Sequence, residues 1–314
     1  MSAVQLNRSA CLWDNRVTGS NNVDNVLRGG DGDDFIQGLS GDDVLYGGAG
    51  DDDLRGQTGI DTYFGENGND FLLGGAGDLL YGGAGADSMR GYGGTGLFDG
   101  GSENDIVCWR DYQHTGSLGM VVDLDAGIAT DGDSNEAAVI DIENITGSVY
   151  ADTLKGDDGA NVIRGGADRF GLTDGNDLIH GYCGDDMLYG NNGSDTIVGG
   201  SGLDFLYGGS DGGAGVFGFS ADENSIDRVY NFDLANDVLN FTDMLTGYTP
   251  GTSDIDDFIL LVHTGSRFDE HVDADGGADG FVSAARIYTD IDDNLTAADL
   301  LASGALEVDN SLIS

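Results

Sequence analysis

The sequence predicts an all-β fold: a solenoid of short parallel strands in two blocks, followed by a small, mostly-β C-terminal domain. Three observations predict it. A nine-residue period runs through much of the chain, one position of that period is apolar in every copy, and 56 glycines stand against a single proline. A short fixed period marks stacked units that bury a core only jointly. Glycine at tight loops with positive φ and three-residue strands between them fit nine residues to half a turn.

Residues 1–19 form a lead with no apolar stretch of the kind that opens a secretory signal. The first block, 20–108, reads SNNVDNVLR, GGDGDDFIQ, GLSGDDVLY, GGAGDDDLR, GQTGIDTYF, GENGNDFLL, the eight-residue GGAGDLLY, GGAGADSMR, GYGGTGLFD and GSENDIVC. A spacer, 109–146, breaks the period, and its alternating runs GMVVDLDAG and VIDIENI read as strands packing on the solenoid. The second block, 147–215, carries GSVYADTLK, GDDGANVIR, a unit widened by an insertion, GYCGDDMLY, GNNGSDTIV and GGSGLDFLY. The eighth position is apolar in all sixteen units, from Leu27, Ile36, Leu45, Leu54 and Tyr63 to Ile197 and Leu206, which marks a buried stripe. After Gly215 the period stops, and 216–314 forms the C-terminal domain.

Charge narrows the function. Acidic side chains number 57 against 12 basic ones, a net charge of −45, which excludes nucleic acid and anionic membranes as partners. Only seven of the acids are Glu, and aspartate beside glycine belongs to turns and oxygen-ligand cation sites. Lys155 is the only lysine, so the charge demands a counter-cation, calcium first. Cys11, Cys108 and Cys183 are too scattered for a disulfide framework or a zinc site and read as structural. No run of about 18 apolar residues occurs, so no membrane span is expected.

The units resemble the GGxGxDxUx nonapeptide of the repeats-in-toxin (RTX) family. That resemblance implies a right-handed parallel β-roll, two units to a turn, with several Ca²⁺ ions held between loops a turn apart. The sixth-position acids it would use are Asp34, Asp43, Asp52, Asp61, Asp70, Asp87, Asp105, Asp152, Asp177, Asp186, Asp195 and Asp204. Loop carbonyls complete each implied site: Gly30 and Gly32 with Gly47 and Ala49, then Gly48 and Gly50 with Gly65 and Asn67. Carboxylates stacked ~5 Å apart repel by roughly 0.8 kcal/mol per pair even in water, so the ion-free chain is expected to be largely unfolded. In the first block one edge carries Asp34, Asp52, Asp70, Asp87 and Asp105 without a gap. The other carries Asn25, Asp43, Asp61, a displaced Asp78 and Gly96.

The C-terminal segments VFGFSADENSIDRVYNFDLANDVLNFTDML and NLTAADLLASGALEV resemble the targeting domain of type I secretion substrates. The resemblance implies a type I exporter as partner and an extracellular location outside a Gram-negative cell. VDADGGADGF in the same region reads as an acidic turn, since it lacks the EF-hand spacing. Catalytic residues are not expected. The motifs HExxH, GxSxG and GxxxxGK[ST] are absent, and the four histidines lie far apart. Trp109, Tyr112 and His114 form the most suggestive cluster and read as packing. The expected role is a non-catalytic extracellular binding or matrix module; the alternative is the repeat and secretion tail of an RTX lipase, metalloprotease or alginate-modifying enzyme. Self-association, or an extracellular protein or polysaccharide partner, would cover an outward apolar strip of Val26, Val44, Thr62, Leu79 and Leu97 flanked by Tyr46, Phe64 and Tyr81, unless the chain itself does. Ice binding is not expected, because the outward seventh position is not a threonine array.

Overall fold

The computed structural model describes residues 4–7, 14–92, 96–109, 118–166, 175–209, 212–219, 226–241, 244, 259–263, 267–272, 282–288 and 296–307. The chain divides into two compact units, Met1–Asp152 and Thr153–Ser314. Each is a parallel β-solenoid, and Ala297–Ser303 is the one helix among the described residues.

In the first unit, successive repeats alternate between two sheets because each short strand ends in a glycine loop that turns the chain back. One sheet stacks Asn25–Asp31, Val44–Ala49, Thr62–Asn67, Leu79–Ala84 and Gly96–Ser102 in parallel. The other stacks Phe35–Ser40, Asp53–Thr58, Phe71–Gly74, Ser88–Gly91 and Ile106–Cys108. Register aligns eighth positions with eighth positions, Leu27 beside Leu45 beside Tyr63 in one sheet and Ile36 beside Leu54 in the other. All sixteen eighth-position side chains across both units are buried, as the sequence pattern requires. The shortened repeat keeps this register, with Tyr63 opposite Leu80, so its missing residue is lost from the loop.

The spacer strands join the sheets side by side. Glu136–Ile140 continues the first sheet in parallel, followed by Ile128–Thr130 and Val121–Asp123 in antiparallel order, and Asn144–Thr146 continues the second. Trp109 is buried edge-on against Phe98, ring centroids 5.6 Å apart, which agrees with a packing role; Tyr112 and His114 lie outside the described residues. Cys108 is buried and Cys183 half-buried, both as free thiols, while Cys11 lies outside the described residues.

The second unit repeats the architecture, with Thr153–Lys155, Leu178–Cys183 and Thr196–Ser201 in one sheet and Val162–Arg164, Met187–Tyr189 and Phe205–Tyr207 in the other. Stacking does not end with the nonapeptides. Val216–Gly218, Val238–Asn240 and Leu306–Glu307 extend the first of these sheets, and Asp227–Tyr230 and Val282–Tyr288 extend the second. They bury Phe217, Val229, Leu239, Ile287 and Leu306 as the repeats bury their eighth positions. The helix starts at a capping box between Thr296 and Asp299 and stops at Gly304 in the left-handed region. Most of 272–281, including the acidic turn, lies outside the described residues. No helix among the described residues is long and apolar enough to cross a membrane.

Candidate metal centres

Each sixth-position aspartate sits just before its strand, where alternation turns it toward the interior while the loop closes over it. One carboxylate oxygen is used within the fold. On the first edge, Asn15, Asp34, Asp52, Asp70 and Asp87 donate their backbone N–H groups to Oδ1 of Asp34, Asp52, Asp70, Asp87 and Asp105, at 2.6–2.7 Å. The Asp105 N–H donates to Glu143 Oε2 at 2.6 Å, closing the column. On the second edge, Asn25, Asp43 and Asp61 donate to Asp43, Asp61 and Asp78 at 2.7, 2.7 and 2.8 Å. The second unit shows the same ladder from Asp177 to Asp195 and from Asp186 to Asp204, both at 2.9 Å.

The other oxygen is left over. Oδ2 of Asp34, Asp43, Asp52, Asp61, Asp70, Asp87, Asp105 and Asp186 is buried with no hydrogen-bond partner. A buried, unsatisfied carboxylate oxygen is expensive, and a column of them asks for one shared explanation. First-position glycines supply the geometry. A Cβ on Gly47 would fall well inside van der Waals contact of Asp52 Oδ2 and 2.7 Å from the Gly65 carbonyl oxygen. Gly29 has the same relation to Asp34 Oδ2 and the Gly47 carbonyl, Gly65 to Asp70 and Gly82, and Gly82 to Asp87 and Gly100. A carboxylate oxygen and a main-chain carbonyl of the next turn thus converge with no donor between them. Oxygen-only donors of this kind suit a hard divalent cation, and the residues fit calcium.

Electrostatics tells the same story. Burial raises the Asp52, Asp61, Asp87 and Asp186 carboxyls to about 7, with stacked carboxylates adding to it. Burial likewise brings Asp70 and Asp105 to about 6. It pushes Asp34 and Asp43 upward too. Among the described residues no cluster of three or more acidic, histidine or cysteine side chains forms, so carbonyls must supply much of any coordination.

Most of the carbonyls named from the sequence lie between stacked loops. Gly30 and Gly32 direct theirs at Gly48 and Gly50 of the next turn. Those two glycines sit at φ 128° and 122°, and any side chain would collide with the loop before. The Ala49 and Asn67 carbonyls accept the N–H groups of Gly32 and Gly50 at 2.6 and 2.9 Å, leaving each a second lone pair.

Two acids depart from the pattern. Asp152 has both oxygens engaged, by the Met120 and Ser148 N–H groups and the Ser148 hydroxyl, which satisfies it without an ion. Asp78 is not displaced: it receives the Asp61 N–H like its neighbours, and the shortening falls earlier in the loop. Its Oδ2 accepts the Gly75 N–H at 2.6 Å and lies 3.1 Å from the Tyr63 hydroxyl.

Sequence reasoning missed three parts of the site. Asn15 and Glu143 start and end the first column; Asp227 receives the Asp204 N–H at 3.1 Å beyond the last repeat. Glu143-Asn-Ile-Thr and Asp227-Arg-Val-Tyr keep the acid-x-apolar-x half of the repeat without the glycine half, a signal the sequence did carry. A parallel column at the fifth position was also missed: Asp33 and Asp51 accept the N–H groups of Asp51 and Asn69 at 2.9 and 2.7 Å.

The RTX calcium-binding nonapeptide repeat (4 copies) matches residues 20–54, 55–78, 77–107, 140–169, 173–197 and 184–215, just over half of the chain. No curated protein matches it. Among solved structures, the AlgE6R2 subunit of the Azotobacter vinelandii mannuronan C5-epimerase is similar at 24% identity, with a TM-score of 0.35, over 50% of this chain and 92% of that one. The extracellular lipase LipA from Serratia marcescens is similar at 18% identity, with a TM-score of 0.34, over 92% of this chain and 40% of that one.

Proposed function

From its membership of the RTX calcium-binding nonapeptide repeat family, to which this chain belongs, we propose that the protein is a β-roll that several Ca²⁺ ions fold after type I export, acting outside the cell as a non-catalytic binding or matrix module. The observation that carries the calcium reading is the column of buried carboxylate oxygens without a donor, which in the first unit face a main-chain carbonyl at every rung except that of Asp61, where the Tyr63 hydroxyl stands instead. Asp34, Asp52, Asp70, Asp87 and Asp105 would hold ions on the first edge, Asp43 and Asp61 on the second, and Asp177, Asp186, Asp195 and Asp204 in the second unit. Bound calcium supplies positive charge where the fold has gathered negative charge. The chain's own residues do the rest: N–H groups fix one oxygen of each carboxylate, and glycines hold the loops open for the other.

The reading makes folding and ion binding one event. Calcium titration followed by circular dichroism tests it, with cooperative gain of β-structure expected and chelation reversing it. A chelated chain that keeps its native spectrum and melting point would refute the mechanism. Export is tested separately in a host with a matching exporter, where the intact chain should reach the medium and a chain ending at Val216 should stay inside.

A further inference from the structure

The outward face of one sheet in the first unit carries a pattern that calcium binding does not use. The five strands from Asn25–Asp31 to Gly96–Ser102 lie in register, so their outward side chains form two columns. The ninth-position column reads Arg28, Tyr46, Phe64, Tyr81, Asp99, and the seventh reads Val26, Val44, Thr62, Leu79, Leu97. Stacked rings run up the first column, Tyr46 to Phe64 at 4.9 Å and Phe64 to Tyr81 at 5.1 Å, and the Arg28 guanidinium caps them 3.7 Å from the Tyr46 centroid. All ten side chains keep part of their surface in solvent. Arg55 and Asp53 form an ion pair on the opposite sheet, whereas Arg28 and Asp99 form none among the described residues.

Order along the columns identifies what would cover them. Read outward from Phe64, the ninth-position column is Tyr then Arg in one direction and Tyr then Asp in the other, before the flanking strands add the uncharged Asn7 beside Arg28 and Ile140 beside Asp99. A two-fold axis lying along the Thr62–Asn67 strand, between two facing sheets, reverses the order of strands and keeps each column over itself. It sets Arg28 of one copy over Asp99 of the other, twice, and Tyr46 over Tyr81, twice. Phe64 meets Phe64, Thr62 meets Thr62, and the aliphatic positions meet one another. Such self-complementarity is what an isologous interface requires. The face contributes one cation and one anion, so the acids that give the chain its charge stay on the loop edges. We propose that this face is the contact between two copies of the calcium-folded chain.

The proposal rests on calcium folding the roll, not on export. The five matched strands span only about 20 Å of that sheet at a strand spacing of ~4.8 Å, so the matched contact is small and the dimer weak, with a dissociation constant of about 10 µM to 1 mM. Sedimentation velocity of the full chain in millimolar calcium, over a range of concentrations, should show a reversible monomer–dimer equilibrium. R28E and D99R should each weaken it tenfold or more, with the calcium-bound circular dichroism unchanged. Mixing the two variants should restore association, because each then faces the opposite charge twice, and the R28E/D99R double variant should dimerise alone. A folded wild type that stays monomeric throughout overturns the proposal, whether a segment of the chain or nothing covers the face. So does a dimer indifferent to both reversals, or variants that fail to rescue each other. A chain that does not fold in calcium would instead defeat the functional reading above.

Discussion

Gly47→Ala tests the ion cradle with a single methyl group. Gly47 lies in the Val44–Ala49 strand outside the left-handed region, so alanine adopts its backbone without strain. The new Cβ would sit well inside contact of Asp52 Oδ2 and 2.7 Å from the Gly65 carbonyl, both buried. Forcing the loop apart costs about 1–3 kcal/mol, as overpacking usually does. Losing an ion present at ~100 times its dissociation constant removes about 2.7 kcal/mol more. A loss of roughly 4–6 kcal/mol in saturating calcium is a large share of a domain's usual ~5–15 kcal/mol. Gly212→Ala is the control: φ is 82° and no atom lies within 4 Å of its Cβ, so it bears only the left-handed backbone cost of ~1–2 kcal/mol. Denaturant unfolding in calcium, with isothermal titration to count ions, reads both. Gly47→Ala should lose at least one ion and raise the calcium midpoint, while Gly212→Ala should keep both values. Wild-type stoichiometry and midpoint in Gly47→Ala would show that the methyl does not stand in the ion's place.

Three further outcomes follow from the carboxylate columns. Because burial raises Asp52, Asp61, Asp87 and Asp186 to about 7, against 3.8 as their ordinary value, the ion-free fold binds more protons than the unfolded chain between those pH values. In chelator, stability should therefore rise as pH falls from about 7 toward about 4 and disappear as pH climbs back through 6–7; far-UV circular dichroism that gains nothing on acidification contradicts it. Asp52→Ala should raise the calcium midpoint more than Asp61→Ala, since Asp52 stands between two partners with a leftover oxygen and Asp61 next to Asp78, which has none; equal midpoints would remove the distinction. Tyr63→Phe should cost about 1–3 kcal/mol in saturating calcium by stripping buried groups of their partner, with the number of bound ions unchanged by titration.

Most of the fold was legible because two independent demands recur at fixed spacing: an apolar side chain at the eighth position and an acid at the sixth. Val229 and Leu239 meet the same demands, yet the loops before them differ in length and lack the GGxG half, so the period vanishes while the strand half persists in Asp227-Arg-Val-Tyr and Asp237-Val-Leu-Asn. A solenoid requires equal strand register, not equal loop length, and a reading tuned to the nine-residue period loses it there. Asp152 shows the opposite limit. Its position in the repeat is right, and only the structure reveals that Met120 and Ser148 already satisfy it.

The rung between Asp61 and Asp78 shows how one deleted residue changes the chemistry of an edge. Shortening the loop to GGAGDLLY brings the Gly75 N–H within 2.6 Å of Asp78 Oδ2, so a protein donor stands where neighbouring rungs leave the oxygen bare. Tyr63 completes the exchange. It replaces the aliphatic residue of the core stripe, and its hydroxyl accepts the Gly56 N–H at 2.9 Å and donates to the Leu73 carbonyl at 2.9 Å, beside Asp78. A phenol has an apolar body for the core column and a polar tip that reaches the loop and can both accept and donate. The first edge, by contrast, keeps leftover oxygens from Asp34 through Asp105 without interruption. Ion-dependent stability should therefore concentrate on that edge, while the Tyr63 rung holds its loops together with hydrogen bonds at any calcium concentration that keeps the roll folded.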